Sequence, residues 1–389
     1  MSHTYATYEE QESRLEADFT AHYELQGDQI VHPDPTAPRG DQQIVLDRGL
    51  NECRYCERTK ADGVGFKKAH VIPEQMGNKL IVSDAECTPC NETFSVYETH
   101  LGELLGPLKT LLGVEGKSKK GRRVPKFKDL KDHTSILRSD TGIHWEVDPE
   151  RTTVRLDGPR EFSVGTRHLP YVPLLAWKGI ARCAVHLLAL DELDSFQWFR
   201  EAVSTDSHDQ ALAASTGLAC VISTFLPSMH NLFPQPELRM FNRRAAGLLA
   251  EDGWILPEKM FVVKAASHVY QVPVYSDADI QYLRGYTTSG EAASEQRSLP
   301  LFPVHVREDF VENYDVPKRS MLSLNSLEEE SPINWIQMRH TGPQPLSDEQ
   351  MLEAGLTEEE IQQVKTDGLT GEAVLKWLAS VAPVPRSAT

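Results

Sequence analysis

Hydrophobic residues recur at two different periods along the chain, and the change of period predicts where helices and strands lie. Residues 8–25 have the spacing of a short amphipathic helix, and residues 94–108 carry an apolar stripe at helical spacing. Residues 66–72 and 79–82 have the composition of strands, and Pro73 ends the first of them. The pattern therefore predicts a strand, a turn, a strand and a helix in that order.

Both periods also occur in the second half of the chain. Alternating residues from 134 to 156 predict a hairpin around residues 148–150. Residues 173–204 predict two helices, and residues 261–275 are strand-like again. We therefore expect a second, larger α+β region after the first one.

The C-terminal region differs from the rest in its charge. Residues 344–372 contain eight acids against one lysine. Residues 356–360 have the composition of a capped helix start, and residues 373–381 predict a last helix. Near the other end, prolines and a glycine in residues 33–40 break the chain into a linker. The pattern thus predicts an acidic helical C-terminal segment.

These breaks predict an α+β fold class and four segments. The four predicted segments are an N-terminal helix and linker (1–41), a metal-stapled domain with a basic arm (42–132), an α+β domain of unassigned role (133–287) and a C-terminal extension with acidic helices (288–389).

Composition places the chain among ordinary globular proteins. Of its 389 residues, 40% are hydrophobic and 25% are charged. The longest apolar runs are too short to cross a bilayer, and the first thirty residues lack the apolar region of a signal peptide. We therefore expect a cytoplasmic protein with no membrane partner.

Four of the six cysteines lie in two Cys-x-x-Cys pairs, which is the spacing of zinc knuckles. The pairs are Cys53 with Cys56 and Cys87 with Cys90. In a reducing compartment such pairs indicate metal ligands rather than disulfides, and four thiolates leave no open position for water. We therefore predict one structural Zn²⁺.

The remaining two cysteines, Cys183 and Cys220, are expected to be small buried residues. Cys183 and His186 have a spacing that suits a metal, but no further ligands are evident, so core packing is the preferred interpretation.

Three short motifs follow in order between and just after the knuckles. They are Ala-His-Val-Ile-Pro at residues 69–73, Gly-Asn-Lys-Leu at residues 77–80 and Cys-Asn at residues 90–91. This ordered set resembles the HNH endonucleases, and in particular the subgroup in which two zinc knuckles bracket the site. The resemblance covers about residues 50–130 and implies a zinc-stapled ββα-metal domain.

The resemblance also implies a catalytic set. His70 would be the general base that activates water, a role that suits the near-neutral pKa of histidine. Asn78 would orient the loop and the base, and Asn91 would bind a catalytic divalent cation, Mg²⁺ or Mn²⁺. The substrate would be DNA, although RNA is not excluded by a site that acts on phosphodiesters.

The sequence departs from the family at one position. Many HNH proteins have a metal-binding Asp, Glu or His just before the base, whereas this chain has Ala69. Glu98 is the candidate replacement, because it follows Asn91 by seven residues and so shares its helical face. His100 is a weaker candidate, and the other possibility is a weakened metal site.

Net charge is −17, yet one segment is strongly basic. Residues 109–131 contain nine Lys or Arg against two acids, which suits an arm that contacts phosphates. The candidate nucleic-acid ligands are Lys117, Lys119, Lys120, Arg122, Arg123 and Lys126.

The sequence therefore favours a metal-dependent HNH endonuclease. Family resemblance suggests a prokaryotic restriction or anti-phage effector, whose residues 133–389 would regulate the nuclease through a ligand, a partner or homodimerisation. Two alternatives stay open: a non-catalytic, zinc-dependent nucleic-acid-binding protein, and an adaptor that binds proteins through its acidic helices.

Overall fold

The computed structural model describes a large part of the chain. The described residues are 2–34, 36–38, 42–114, 126–128, 135–139, 142–146, 154–158, 161–167, 169–204, 220–224, 232–244, 255–288, 299–306, 318–322, 324, 333–339, 348, 352 and 356–366. They form two compact units, and the α+β class is confirmed. Unit 1 comprises residues 1–105, 114–123 and 171–330, and unit 2 comprises residues 106–113, 124–170 and 331–389.

Unit 1 begins with helix α1 (Ser2–His22), which passes directly into strand β1 (Tyr23–Val31). The predicted helix at residues 8–25 is confirmed, but it starts earlier and ends sooner. Tyr23 leaves the helical path because β1 pairs with a strand far along the chain, with Tyr23 opposite Arg243. A strand whose partner lies so far away has no local signal in the sequence.

The knuckle region contains a small three-stranded sheet and one long helix. The strands are β2 (Ile44–Leu46), β3 (Ala69–His70) and β4 (Ile81–Ser83), followed by helix α2 (Thr88–Leu105). Strand β4 lies in the middle, parallel to β2 and antiparallel to β3. The predicted order of strand, turn, strand and helix is confirmed, although β3 spans two residues where seven were predicted.

Two helices follow at the predicted residues 173–204. They are α4 (Pro173–Val185) and α5 (Gln197–Ser204), joined by a 3-10 helix. Helix α4 packs closely on α2, because a Cβ added at Gly179 would lie 3.1 Å from the carbonyl oxygen of Tyr97. A glycine at the crossing therefore brings α4 against the helix that carries the candidate site.

The rest of unit 1 is built on a six-stranded antiparallel sheet. Its further strands are β10 (Cys220–Thr224), β11 (Phe233–Arg243), β12 (Lys259–Ala266), β13 (His268–Val274) and β14 (Lys318–Leu322), and helix α6 (Asp277–Thr288) follows β13. The strand order is β1-β11-β12-β13-β10-β14. The strand-like residues 261–275 thus form a hairpin rather than one strand.

Side chains alternate between two hydrophobic clusters on the faces of this sheet. Phe261 and Val263 of β12 belong to a large cluster that also contains buried residues of α2 and α4. Met260 and Val262 point to the other cluster, where Phe19 of α1 packs. This period of two is the normal geometry of a strand with both faces covered, so α2, α4 and the sheet share one core.

Unit 2 combines two small sheets with short helices. Its elements are α3 (Leu108–Leu111), β5 (Lys126–Lys128), β6 (Ser135–Ser139), β7 (Gly142–Glu146), β8 (Val154–Gly158), β9 (Glu161–Arg167), β15 (Ile333–Arg339) and α7 (Glu358–Thr366). The sheets have the orders β5-β6-β7 and β15-β9-β8.

The hairpin predicted around residues 148–150 is wrong. Strand β7 pairs with β6, and β8 pairs with β9, so the strands on either side of residues 148–150 belong to different sheets. Alternation located the strands but did not determine which of them pair.

The capped start of the acidic helix is confirmed. The Thr357 main-chain nitrogen donates to the Glu360 carboxylate at 2.7 Å, and the Glu360 nitrogen donates back to the Thr357 hydroxyl at 3.2 Å. The last helix expected at residues 373–381 lies outside the described residues.

The predicted segment boundaries at residues 41, 132 and 287 stay predictions; the compact units group the chain differently. No helix within the described ranges is both long and apolar enough to cross a membrane.

Candidate active site

The four knuckle cysteines come together at the end of the small sheet. The sulfur atoms of Cys53, Cys56, Cys87 and Cys90 all lie within 4.8 Å of one another, and those of Cys56 and Cys87 are 3.6 Å apart. A zinc ion bound to four sulfurs at about 2.3 Å separates them by about 3.8 Å. The donor set and its spacing therefore fit one tetrahedral Zn²⁺.

The thiols affect one another strongly. A hydrogen bond from Cys90 lowers the pKa of Cys53 to about 5, whereas burial raises the pKa of Cys87 to about 11. The pKa of Cys90 is also raised, first through its hydrogen bond with Cys53 and then by burial. A divalent cation is what allows four such crowded sulfurs to be thiolates together.

His70 lies on β3, opposite Val82 of the central strand. Its imidazole Nε2 lies 2.6 Å from Oε1 of Glu74, and the two side chains are 26% and 22% exposed. Glu74 belongs to a 3-10 helix (Glu74–Met76) that follows Pro73. His70 is therefore partly exposed, and it is paired with a carboxylate that no sequence motif had indicated.

Asn78 is fully buried and organises the turn before β4. Its amide nitrogen donates to the carbonyl oxygens of Ile72 and Ile81, at 2.7 and 2.8 Å. Its amide oxygen accepts from the main-chain nitrogens of Leu80 and Ile81, at 3.1 and 2.9 Å. These four bonds tie the end of the segment that carries His70 to β4, which suits the orienting role expected of Asn78.

Asn91 and Glu98 lie about two turns apart on α2. The Asn91 side-chain nitrogen donates to Oε1 of Glu86 at 2.6 Å, so its amide oxygen faces away from that carboxylate. Oε1 of Glu98 forms an ion pair with the guanidinium of Arg182. Both residues offer hard oxygen donors of the kind that Mg²⁺ and Mn²⁺ prefer, and Arg182 offsets part of the charge of Glu98.

Arg182 of α4 is the centre of this part of the site. Its side chain is fully buried, and one nitrogen of the guanidinium lies 3.2 Å from Oε2 of Glu86. A second nitrogen bonds Glu98 and also donates to the carbonyl oxygen of His70 at 3.1 Å. Burial works against its charge, but Glu86 and Glu98 outweigh burial and raise the pKa of Arg182.

The charged network continues from Glu86 to His186. His186 Nδ1 lies 2.8 Å from Oδ2 of Asp47, and Nε2 lies 3.0 Å from the hydroxyl of Tyr55 and 3.9 Å from Glu86. Burial lowers the pKa of His186, but Asp47 and Glu86 outweigh it and raise the pKa above its ordinary value. Asp47 also bonds Arg54 at 2.6 Å.

We call these six side chains the buried charge network. Its members are the cations Arg54, Arg182 and His186 and the carboxylates Asp47, Glu86 and Glu98. The charges balance when His186 is protonated, which is consistent with its raised pKa.

Several residues of this network escaped the analysis of the sequence. Glu86 directly precedes the knuckle residue Cys87 but was not identified as a site residue. Asp47 and Arg182 belong to none of the sequence motifs. The interpretation of Cys183 and His186 as packed residues is confirmed: the Cys183 thiol donates to the carbonyl oxygen of Val71 at 3.0 Å, and both side chains are buried. The signal that the sequence did offer was an arginine in the middle of an apolar stretch that predicts a helix.

The basic arm is mostly outside the described residues. Lys117, Lys119, Lys120, Arg122 and Arg123 lie there, whereas Lys126 is exposed on β5 in unit 2. The weaker metal candidate, His100, accepts a hydrogen bond from the main-chain nitrogen of Val172 at 3.1 Å. That hydrogen bond links His100 of α2 to the residue just before α4 and gives this side chain a structural role.

Comparison with known proteins adds one finding. Residues 53–100 match a family model described as HNH endonuclease. The match begins at the first knuckle cysteine and includes every residue from His70 to Glu98 discussed above, so the chain contains an HNH endonuclease segment. No curated protein and no solved structure matches the chain.

Proposed function

We propose that the chain is a metal-dependent endonuclease that hydrolyses phosphodiester bonds of DNA, with His70 as the general base. The observation that carries this proposal is the match of residues 53–100 to the HNH endonuclease family, together with the partial exposure of His70 within that segment. The catalytic residues would be His70, Asn78 and Asn91, held by a zinc-stapled fold.

In this mechanism His70 takes a proton from the attacking water. The new P–O bond forms as the bond to the leaving 3′ oxygen breaks, and that oxygen takes a proton from solvent water. Glu74 supports the step, because its carboxylate 2.6 Å from Nε2 stabilises the imidazolium that forms. Asn78 maintains the turn that sets the position of the base.

A catalytic Mg²⁺ or Mn²⁺ would be held by the oxygen of Asn91 and the carboxylate of Glu98. When bound, such an ion polarises the scissile phosphate and stabilises charge on the leaving oxygen. Two protein ligands suffice for Mg²⁺, which keeps several waters.

The basic residues at 117–126 would contact the DNA backbone, and the rest of the chain would regulate cutting. A role in restriction or defence against phage is the physiological part of the proposal. It is tested by the ability of cells that express the wild-type chain, but not a His70 variant, to resist infection.

The biochemical test is plasmid cleavage by the wild type and by His70→Ala, with Mg²⁺, Mn²⁺ or EDTA, after both proteins are shown to contain equal zinc. His22→Ala is a matched control, because His22 also pairs with a carboxylate four residues away and is 33% exposed against 26% for His70. We expect metal-dependent nicking by the wild type and His22→Ala, and none by His70→Ala.

Equal cleavage by His70→Ala would refute the role of His70. No cleavage by the wild type with either metal would refute an active nuclease, unless Ala69→Asp, which restores the acid of the family, restores cutting. Parallel reactions on RNA of the same sequence would separate a ribonuclease from the proposed deoxyribonuclease.

A non-catalytic, zinc-dependent nucleic-acid-binding protein is the second candidate. Ala69 favours it, because this side chain is buried and provides no metal ligand, and so does the pairing of Glu98 with Arg182. Binding of DNA by the zinc-loaded protein without added Mg²⁺ or Mn²⁺ and without cleavage, abolished when the five cations at 117–123 are neutralised, would support it.

A further inference from the structure

Helix α4 lies outside residues 53–100, the segment that matches the HNH family model and is called the family segment below. One side chain of α4, that of Arg182, nevertheless bonds three residues of this segment. Arg182 bonds the main-chain oxygen of His70, the carboxylate of Glu86 and the carboxylate of Glu98. These three partners come from a strand, a loop and a helix of the family segment. One guanidinium therefore joins the strand that carries His70, the helix that carries Asn91 and Glu98, and the loop that precedes this helix.

Packing alone does not explain an arginine at this position. Arg182 lies among buried residues of α4, which are apolar apart from Lys178 one turn before it, and an ion pair in such a place stabilises a fold no better than well-packed hydrophobic residues. An apolar residue could not form directional hydrogen bonds. The planar guanidinium of arginine donates to several acceptors at fixed angles. Position rather than stability is the property that this contact supplies.

The connection to Asn91 runs through Glu86. Arg182 holds Oε2 of Glu86, and Oε1 of the same carboxylate accepts from the Asn91 amide. Fixing one oxygen orients the other, so the guanidinium determines which way the Asn91 side chain faces. The same guanidinium fixes the main chain at His70 directly.

We propose that Arg182 is a positioning residue of the nuclease site, which sets the His70 main chain and, through Glu86, the Asn91 side chain. This inference rests on the proposed function and deepens it, because it makes α4 a necessary part of the site. The nuclease site is therefore incomplete with the family segment alone and also needs Arg182 of α4.

The test is Arg182→Lys in the full chain, with Arg243→Lys as the matched control. Arg243 of β11 is 9% exposed and pairs with Asp279 at 3.0 Å, but it lies on the large sheet and takes no part in the site. Lysine keeps the charge and loses the fork. We expect Arg182→Lys to lower kcat for cleavage by about tenfold or more, with KM unchanged, as removal of such supporting contacts does elsewhere. Arg243→Lys should stay within twofold of the wild type.

Hydrogen exchange gives a readout that does not depend on cleavage. Amides of residues 66–76 should exchange faster in Arg182→Lys than in Arg243→Lys at equal zinc content, because the bond to the His70 carbonyl is lost. If Arg182→Lys does not fold, Glu86→Gln keeps the shape of the side chain and removes its charge, and we expect it to lower kcat by a smaller factor.

The inference is overturned if Arg182→Lys cleaves within twofold of Arg243→Lys, or if exchange at residues 66–76 is unchanged in it. A wild type that cuts nothing would refute the proposed function while leaving exchange to decide the positioning role. The two failures are therefore distinguishable.

Discussion

The cysteine cluster and the buried charge network both hold the segment of residues 53–100, but they do so in different ways. Every ligand of the cluster lies inside the segment, in two pairs with fixed spacing. The network takes Arg54, Glu86 and Glu98 from the segment, and Asp47, Arg182 and His186 from outside it. One cross-link is local and the other joins distant parts of unit 1.

Because one cross-link is local and the other is long-range, we expect the two to have different roles in the protein. Four thiolates around one ion would cross-link the segment through its own residues, and this cross-link needs no contact with α4. The buried charge network includes Arg182 of α4, so it makes the geometry of the site depend on parts of unit 1 outside the segment. We infer that the cluster provides stability and the network provides position.

Loss of the metal should have the largest effect. Structural zinc contributes about 10 kcal/mol or more to the folding of small zinc domains. Chelation of the zinc, or Cys90→Ser, should therefore abolish the cooperative unfolding of the family segment, measured by urea denaturation followed by circular dichroism. Cys220→Ala is the control, since this buried cysteine lies on β10 outside the cluster and should cost about 1 kcal/mol. A midpoint unchanged by chelation would contradict the zinc assignment.

Breaking the network at its centre should have the next largest effect. Arg182→Met leaves the fully buried carboxylate of Glu86 without its main cation, and such an unpaired charge costs about 3–5 kcal/mol. The measurement is the free energy of unfolding of the zinc-saturated protein. Arg244→Met is the comparison, because its pair with Glu24 is 44% and 54% exposed and should change stability little. Equal effects of the two substitutions would remove the distinction between the network and the surface.

The network should also respond to pH at His186. The pKa of His186 in the folded state is raised above 6.5. Its contribution to the free energy of unfolding is therefore complete below pH 6.5 and is lost as pH rises through the folded pKa. For one proton the slope does not exceed about 1.4 kcal/mol per pH unit. His186→Gln should flatten this alkaline decline in the free energy of unfolding.

His268 provides the opposite case. Burial lowers its pKa to about 4, so the folded protein gains stability relative to the unfolded chain as pH rises from about 4 towards 6.5. His268→Gln should therefore alter the acid side of the profile and leave the alkaline side unchanged. Identical profiles for the two variants would show that the network does not control the alkaline side.

The smallest effect is expected at the edge of the network. The buried Ser83 hydroxyl donates to Asp47 and accepts from the Ala85 nitrogen, both at 3.0 Å. Ser83→Ala should destabilise the protein by about 1–2 kcal/mol, measured by urea unfolding. A loss as large as that of Arg182→Met would place the centre of the network at Asp47 instead.

The local parts of the fold were predictable. The stripe from Phe94 to Leu108 predicted α2, which begins at Thr88 and ends at Leu105, and the strand, turn and strand before it were found at nearly the predicted residues. Errors arose wherever pairing is long-range: β1 was missed because its partner is β11, and the strands after residue 133 were paired wrongly. Alternation gives the faces of a strand but not its neighbour.

The candidate site divides in the same way. The sequence identified His70, Asn78, Asn91 and Glu98 through motif order, and their catalytic roles stay predictions. It gave no sign that Glu74 lies against His70, since both the strand and the 3-10 helix had to form first.

By itself the sequence identified the four cysteines that cluster and the resemblance of residues 53–100 to the HNH endonucleases, because both depend on spacings of a few residues. The tertiary structure alone decided which charges meet: Arg182 with Glu86 and Glu98, and His186 with Asp47. Such contacts depend on how α4 packs against α2 in the shared core. Local periodicity carries no information about the partner of a residue brought close only by folding.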